Sequence, residues 1–156
     1  MNGILAKALE LEHREIDAGI AAFTSRRAAD QVEPHPLTEA IAALRRHIYL
    51  EEEFLFPPLR QAGMMPPVFV MLREHGEMWK VLDALEAALG EDPGAEAVLA
   101  LCDDLVPRLE AHNAKEEAIL YAQADAVLSD EAGAYLQAFL SSGAMPEDWV
   151  CERARS

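Results

Sequence analysis

The chain has 156 residues, of which 28 are Asp or Glu and 13 are Lys or Arg, so its formal net charge is −15. This length suits a single domain that buries its own apolar core. The negative charge argues against nucleic acid and anionic membrane surfaces as partners, because binding to phosphate groups needs a basic surface.

Cysteine content and hydropathy predict a cytoplasmic protein. The two cysteines, Cys102 and Cys151, form neither a C-x-x-C motif nor a disulfide framework, which is typical of a reducing compartment. Lys7 and Glu10 interrupt the N-terminal apolar residues where a signal peptide needs a continuous run. The longest uncharged stretch, 132–146, is shorter than the ~18 residues of a spanning helix. We therefore expect neither secretion nor a membrane span.

The chain is rich in alanine and leucine and poor in β-branched residues, a composition typical of helices. Apolar residues recur at steps of three and four between clusters of Gly and Pro, which predicts amphipathic helices near 3–27, 37–60, 67–89 and 95–127, with a shorter one near 130–141. Pro107 predicts a kink in the fourth helix, or a later start for it. Because short connections favour antiparallel neighbours, the predicted fold class is all-α. It is an antiparallel up-down-up-down four-helix bundle with a short C-terminal helix (1–142), followed by a C-terminal tail (143–156).

Two parts of the sequence resemble each other. The segment 44–56, which contains His47 and Glu51, aligns with 109–121, which contains His112 and Glu116. In the same way Glu12-His13-Arg-Glu aligns with Glu74-His75-Gly-Glu. This pattern predicts a duplicated helical hairpin whose equivalent residues meet near the bundle axis.

Four of the five histidines lie on the apolar stripes, one in each predicted helix, and two of them are followed by Glu at i+4. That spacing places both side chains on one face of a helix. A lone histidine on such a face is usually a hydrogen-bonded core residue. A buried glutamate anion is costly unless it is paired, and no Lys or Arg occupies the same face. The pattern favours metal ligation by six residues: His13, His47, Glu51, His75, His112 and Glu116.

Nitrogen and carboxylate ligands without thiolate suit iron or manganese, and zinc is possible. Two carboxylates from opposite helices can each bridge two ions. A ferritin-like site is the competing interpretation, and it needs two Glu-x-x-His motifs. Only Glu10-x-x-His13 fits among the ligand candidates, so the ferritin-like interpretation is disfavoured.

With Glu12-His13, His47-x-x-x-Glu51, Glu74-His75 and His112-x-x-x-Glu116 in place, the sequence resembles the hemerythrin-like, or HHE cation-binding, family over roughly residues 5 to 125. The resemblance implies a four-helix bundle around a non-haem di-iron centre, with an oxo or hydroxo bridge. It also implies that the two glutamates bridge the ions and that the four histidines are terminal ligands.

Members of that family bind or sense oxygen or iron, handle peroxide or nitric oxide, or repair iron–sulfur clusters. Two interpretations of function remain open. The first is a di-iron oxidoreductase with catalase-like activity that handles hydrogen peroxide, oxygen or nitric oxide during oxidative or nitrosative stress. The second is a module that binds, senses or stores oxygen or iron without turnover. In both, the partners are small molecules.

One position departs from the oxygen-carrying members. They have a further histidine one turn after the third-helix ligand, where this chain has Trp79. The equivalent position in the first helix is Asp17, which is a candidate extra ligand or hydrogen-bond acceptor. His35 lies about 18 Å of axial rise from His47 along a straight helix and is expected to remain outside the site. The departure at Trp79 puts oxygen carriage in doubt.

Other residues near the motifs receive ordinary structural interpretations. Trp79 and Tyr121 are expected to pack in the core rather than to act as redox relays. Glu52, Glu53 and Glu117 are expected to face solvent, beside the metal-binding face. Cys102 is expected to be buried and inert.

Overall fold

The structure is a computed structural model that describes residues 3–155. The described part of the chain is helical and contains no strand. Seven α-helices and three short helical segments of other types follow one another in the order α1 Ile4–Ala28, α2 His35–Leu50, a π-helix Glu51–Leu55, α3 Phe56–Gln61, α4 Met65–Glu91, α5 Glu96–Lys115, a second π-helix Glu116–Leu120, α6 Tyr121–Val127, α7 Asp130–Ser142 and a 3₁₀ helix Glu152–Ala154.

The predicted helices are all present, but two of them contain a π-helical turn. The second predicted helix is α2, the first π-helix and α3 in unbroken succession, and the fourth is α5, the second π-helix and α6. Pro107 lies within α5, which begins at Glu96, so the alternative of a later helix start is wrong. The π turns begin at Glu51 and Glu116, the two glutamates of the predicted site.

The helices pack as a bundle. Helix α1 lies against α2, and α4 lies against α5. Helix α1 also contacts α5 and α6, while α4 contacts α2 and α3, so the two pairs enclose a common interior. Among the described residues, no helix is both long enough and apolar enough to cross a membrane.

The apolar core is divided into two clusters, and the predicted ligands lie between them. The first cluster contains Ile16, Leu44 and Leu82, and the second contains Leu9 and Leu72. In α1, His13 therefore lies between a residue of the second cluster and one of the first. The other three histidines stand at the same boundary on their own helices: His47 follows Leu44, His75 follows Leu72, and His112 follows Leu109.

The C-terminal segment packs on the bundle. Arg46 caps the end of α7 by donating to the backbone carbonyls of Phe139 at 2.5 Å, Leu140 at 3.2 Å and Gly143 at 2.9 Å. Beyond that point Cys151 is fully buried against the first cluster. The segment predicted as a tail thus covers part of the core.

Candidate metal centre

All six predicted ligands are buried at the centre of the bundle, and their donor atoms converge in two groups. The His13 group consists of His13, His47, Glu51 and Glu116, and the His75 group consists of Glu51, His75, His112 and Glu116. Within each group the donor atoms lie within 4.8 Å of one another. The members of both groups are the six residues that the sequence predicts as metal ligands.

The two glutamates belong to both groups because each directs one oxygen toward each pair of histidines. Glu51 Oε2 lies 3.3 Å from His47 Nε2, and Glu51 Oε1 lies 3.0 Å from His75 Nε2. Glu116 Oε1 lies 3.2 Å from His13 Nε2, and Glu116 Oε2 lies 3.1 Å from His112 Nε2. The carboxylates thus lie between the two histidine pairs.

A carboxylate outside the groups orients each imidazole. Four such residues, here called the outer carboxylates, accept from the Nδ1–H groups: Glu12 from His47 at 2.8 Å, Glu52 from His75 at 2.7 Å, Glu74 from His112 at 2.9 Å and Glu117 from His13 at 2.8 Å. Because a carboxylate only accepts, a neutral imidazole in this arrangement presents its Nε2 lone pair to the interior.

Two of these contacts correct an expectation from the sequence. The sequence predicts that Glu52 and Glu117 face solvent, but the Glu52 side chain is only 4 % exposed, and the Glu117 side chain, which is 37 % exposed, also accepts from His13. Each lies one residue after a group member but approaches a histidine on a different helix. Glu53 is exposed, as expected.

The π turns change which side chains reach the interior. Phe56 N–H donates to the carbonyl of Glu51, and Tyr121 N–H donates to that of Glu116, five residues back in each case. In an α-helix a residue at i+5 points roughly 140° away from residue i. The wider π turn brings it back to nearly the same face. Phe56 therefore stacks on His75 with ring centroids 5.5 Å apart, and Tyr121 stacks on His13 at 5.2 Å.

The role of the Tyr121 hydroxyl was not predicted from the sequence. Its ring packs in the second apolar cluster as expected, but its hydroxyl lies inside the His13 group. The hydroxyl donates to Glu51 Oε2 at 2.5 Å and lies 2.8 Å from His47 Nε2 and 2.9 Å from His13 Nε2. Burial, together with the nearby Glu116 and Glu51 carboxylates, raises the pKa of Tyr121 well above its ordinary value, so without metal it is a neutral phenol.

Asp17, His35 and Trp79 belong to neither group. His35 begins α2 and is 75 % exposed beside Glu39, as expected. Trp79 is buried against Trp149, with its ring under the Arg45 guanidinium at 4.5 Å. The His75 group therefore has no further nitrogen ligand one turn after His75.

Cys102 is buried, and burial together with Asp103 raises the pKa of its thiol to about 11, which fits the expected inert role.

The donor set fits a bound metal. Four imidazole nitrogens and two carboxylates converge with no Lys or Arg of the described chain among them. Glu116 Oε2 is buried and, although it lies 3.1 Å from His112 Nε2, it forms no hydrogen bond with any described residue. A buried carboxylate oxygen without a partner is costly, and a cation between the histidines and the glutamates would satisfy it.

Without metal, protons bound to the histidines offset part of the negative charge of the buried carboxylates. Burial alone would lower the pKa of His47, but the carboxylates of Glu51 and Glu12 outweigh it and raise this pKa to about 10. The pKa values of His75 and His112 also rise, for the same reason. Burial would raise the pKa of Glu116, yet the histidines around it hold this pKa well below its ordinary value. The imidazoles, rather than the Glu116 carboxylate, thus take up protons.

We predict that the metal-free protein loses stability as the pH rises above neutrality. His47 contributes stability fully below the ordinary histidine pKa of 6.5, and that contribution is lost as the pH approaches about 10. The ionised Glu116 carboxylate contributes stability above its ordinary pKa of 4.5, and this contribution is lost in acid as the carboxylate is protonated. Thermal melts of chelator-treated protein should give the highest Tm between pH 4.5 and pH 6.5, where both contributions are present. The exposed His35→Ala variant should keep this profile. A Tm that is constant or rises between pH 6 and 9 would contradict the prediction.

We predict that Glu74→Ala weakens metal binding by about 10- to 100-fold, the usual effect of losing a carboxylate that orients a ligand histidine. Glu74 holds His112 Nδ1 and also pairs with Lys115. Glu77→Ala, at an exposed position on the same helix, is the matched control and should leave affinity unchanged. Competition against a chelator measures both variants, and equal affinities would refute the orienting role.

The comparisons with known proteins agree with the geometry. A family model described as the hemerythrin HHE cation binding domain matches residues 5–124. No curated protein and no solved structure gave a match. The matched range covers most of the chain and includes all six members of the two groups. The chain therefore belongs to the hemerythrin HHE cation-binding domain family.

Proposed function

We propose that the protein holds two non-haem iron ions, one in each group, bridged by Glu51 and Glu116 and by an oxo or hydroxo group. The observation that carries this proposal is the placement of the carboxylates, since each gives one oxygen to each pair of histidines. A single ion would leave two imidazoles and two carboxylate oxygens unligated. Nitrogen and oxygen donors without thiolate favour iron or manganese over softer metals.

The same contacts support the inferred duplication and the up-down-up-down arrangement. The π turns begin at the aligned residues Glu51 and Glu116. The outer carboxylates also correspond. Glu12 directly precedes His13 and accepts from His47 in α2, while Glu74 directly precedes His75 and accepts from His112 in α5. Two copies of one hairpin, related by an approximate two-fold axis between the groups, would produce this correspondence.

For the reaction, we propose catalase-like disproportionation of hydrogen peroxide, in which two molecules yield two of water and one of oxygen. Oxygen or nitric oxide is a further small-molecule substrate, and the setting is oxidative or nitrosative stress in the cytoplasm. When bound, the iron pair supplies the redox capacity. The chain supplies fixed imidazole tautomers through the outer carboxylates, and the two apolar clusters restrict the interior to small molecules.

Trp79 favours turnover over oxygen carriage. Its indole nitrogen is a donor only and cannot ligate as imidazole does, and the ring is held between Arg45 and Trp149. The His75 group therefore keeps a position open to water or substrate. The alternative, a module that binds, senses or stores oxygen or iron, predicts bound iron without peroxide consumption.

We predict close to two iron ions per chain after anaerobic reconstitution with ferrous iron, and ultraviolet bands of a bridged ferric pair after the loaded protein is then oxidised by air. Glu51→Ala and Glu116→Ala should each lose at least one iron, because each removes an oxygen from both groups. His35→Ala is the control and should retain both, since His35 lies outside the groups. Metal analysis decides: less than one iron, or a single tightly held zinc, would refute the di-iron proposal.

We predict that the ferric protein disproportionates peroxide and that Trp79→His slows it by about tenfold, or ~1.4 kcal/mol in activation free energy, because a new imidazole takes the open position. In the reduced Trp79→His protein, oxygen binding should become longer-lived. Trp79→Phe, which keeps an aromatic ring without a ligand atom, is the matched control and should retain peroxide turnover. Oxygen evolution and stopped-flow absorbance are the measurements. Reversible oxygen binding by the wild type, with no peroxide consumption above that of free iron, would contradict the proposal.

A further inference from the structure

The hydroxyl of Tyr121 stands among the donor atoms of the His13 group. Besides its contacts at 2.5, 2.8 and 2.9 Å, it lies 3.3 Å from Glu116 Oε1, so it is close to a donor atom of every member of that group. The side chain is 1 % exposed. Of the three tyrosines in the chain, Tyr135 is exposed and Tyr49 packs against Trp149.

These spacings are those of neighbouring ligands. Nitrogen and oxygen ligands lie about 2.0–2.2 Å from a first-row metal ion, so adjacent ligands around an octahedral ion are about 3 Å apart. The Tyr121 oxygen lies 2.5–3.3 Å from the four donor atoms. A hydroxyl that merely covered the site from outside would approach one or two of them.

In the part of the chain that the structure describes, the His75 group has no equivalent hydroxyl oxygen. In the aligned segments, Tyr121 corresponds to Phe56, which follows the first π turn as Tyr121 follows the second. Phe56 lies flat on His75, with ring planes 18° apart, and has no donor atom. The two groups therefore have matching histidines and glutamates but unequal neighbours.

We propose that the Tyr121 oxygen is a ligand of the ion in the His13 group, so that the open positions belong to the ion in the His75 group. This inference rests on the proposed iron binding. On ligation the phenol O–H bond breaks and its proton passes to bulk water. The oxygen keeps the electron pair and donates it to ferric iron, so the step needs no oxidant or reductant. Small substrates would accordingly bind beside Phe56 and Trp79.

The test is the visible and resonance Raman spectrum of the full chain loaded with ferric iron. Phenolate bound to ferric iron gives a visible charge-transfer band and enhanced phenolate ring vibrations. We expect both in the wild type, with the vibrations shifting when the protein is made with ring-deuterated tyrosine. Reduction to the ferrous state should bleach the band. This measurement needs no variant and so does not depend on a variant folding.

Variants assign the band to one residue. Tyr121→Phe should lose it completely while still binding iron, and the control Tyr135→Phe, which changes an exposed tyrosine, should keep it. Phe56→Tyr, which places a phenol beside the other group, should increase the intensity about twofold. Wild-type protein that holds two irons without tyrosine-derived vibrations would overturn this inference and leave the proposed function standing. Failure to bind iron would overturn both.

Discussion

The structure depends on one electrostatic constraint: two glutamates and four histidines fill the boundary between two apolar clusters. Glu51 and Glu116 are fully buried, with no Lys or Arg of the described chain beside either. Removing a carboxylate from water costs several kcal/mol unless a counter-charge lies nearby. Within residues 3–155, the positively charged groups that can lie beside these carboxylates are protonated imidazoles, and bound cations are the alternative. Protons and metal therefore compete for the same atoms.

The outer carboxylates make the metal-bound state accessible. By accepting from Nδ1, they hold the neutral tautomer in which Nε2 faces the interior. When no metal is bound, burial lowers the pKa values of His47 and His112, but Glu51 and Glu116, and after them Glu12 and Glu74, stabilise the imidazolium form and raise both pKa values. The histidines of the two groups can therefore hold protons when no metal is bound, and they can present their Nε2 lone pairs to a cation when one is bound.

The sequence predicted the parts of this arrangement that follow from α-helical spacing. His47 with Glu51, and His112 with Glu116, are one α-helical turn apart, so the pattern placed each pair on one face, and the repeat linked them to His13 and His75. The position of the Tyr121 hydroxyl among the donor atoms was not predicted, because it depends on a π turn, and periodicity in a single sequence does not reveal π turns.

The contacts of Glu52 and Glu117 with the histidines were not predicted for a different reason. Each reaches a histidine on another helix, a contact that only tertiary packing creates. The recurrence of Glu-Glu in both aligned segments, and of Glu-His in both others, was the available signal. A glutamate that recurs in each half beside a glutamate of the two groups is unlike a solvated surface residue, which has no reason to recur.

The C-terminal segment shows that the site extends beyond the four long helices. Glu152 N–H donates at 2.9 Å to Glu52 Oε1, while Glu52 Oε2 accepts from His75. This approach requires Gly76, since a Cβ there would lie 2.8 Å from Arg153 Cβ. The segment thereby orients Glu52 and, through it, the imidazole of His75. On the opposite side Glu117, which orients His13, remains partly exposed. The two groups therefore have matching histidines and glutamates but unequal surroundings. In the proposed reaction, this inequality would favour binding of a small molecule at one of the two ions, because the surroundings of the two groups differ.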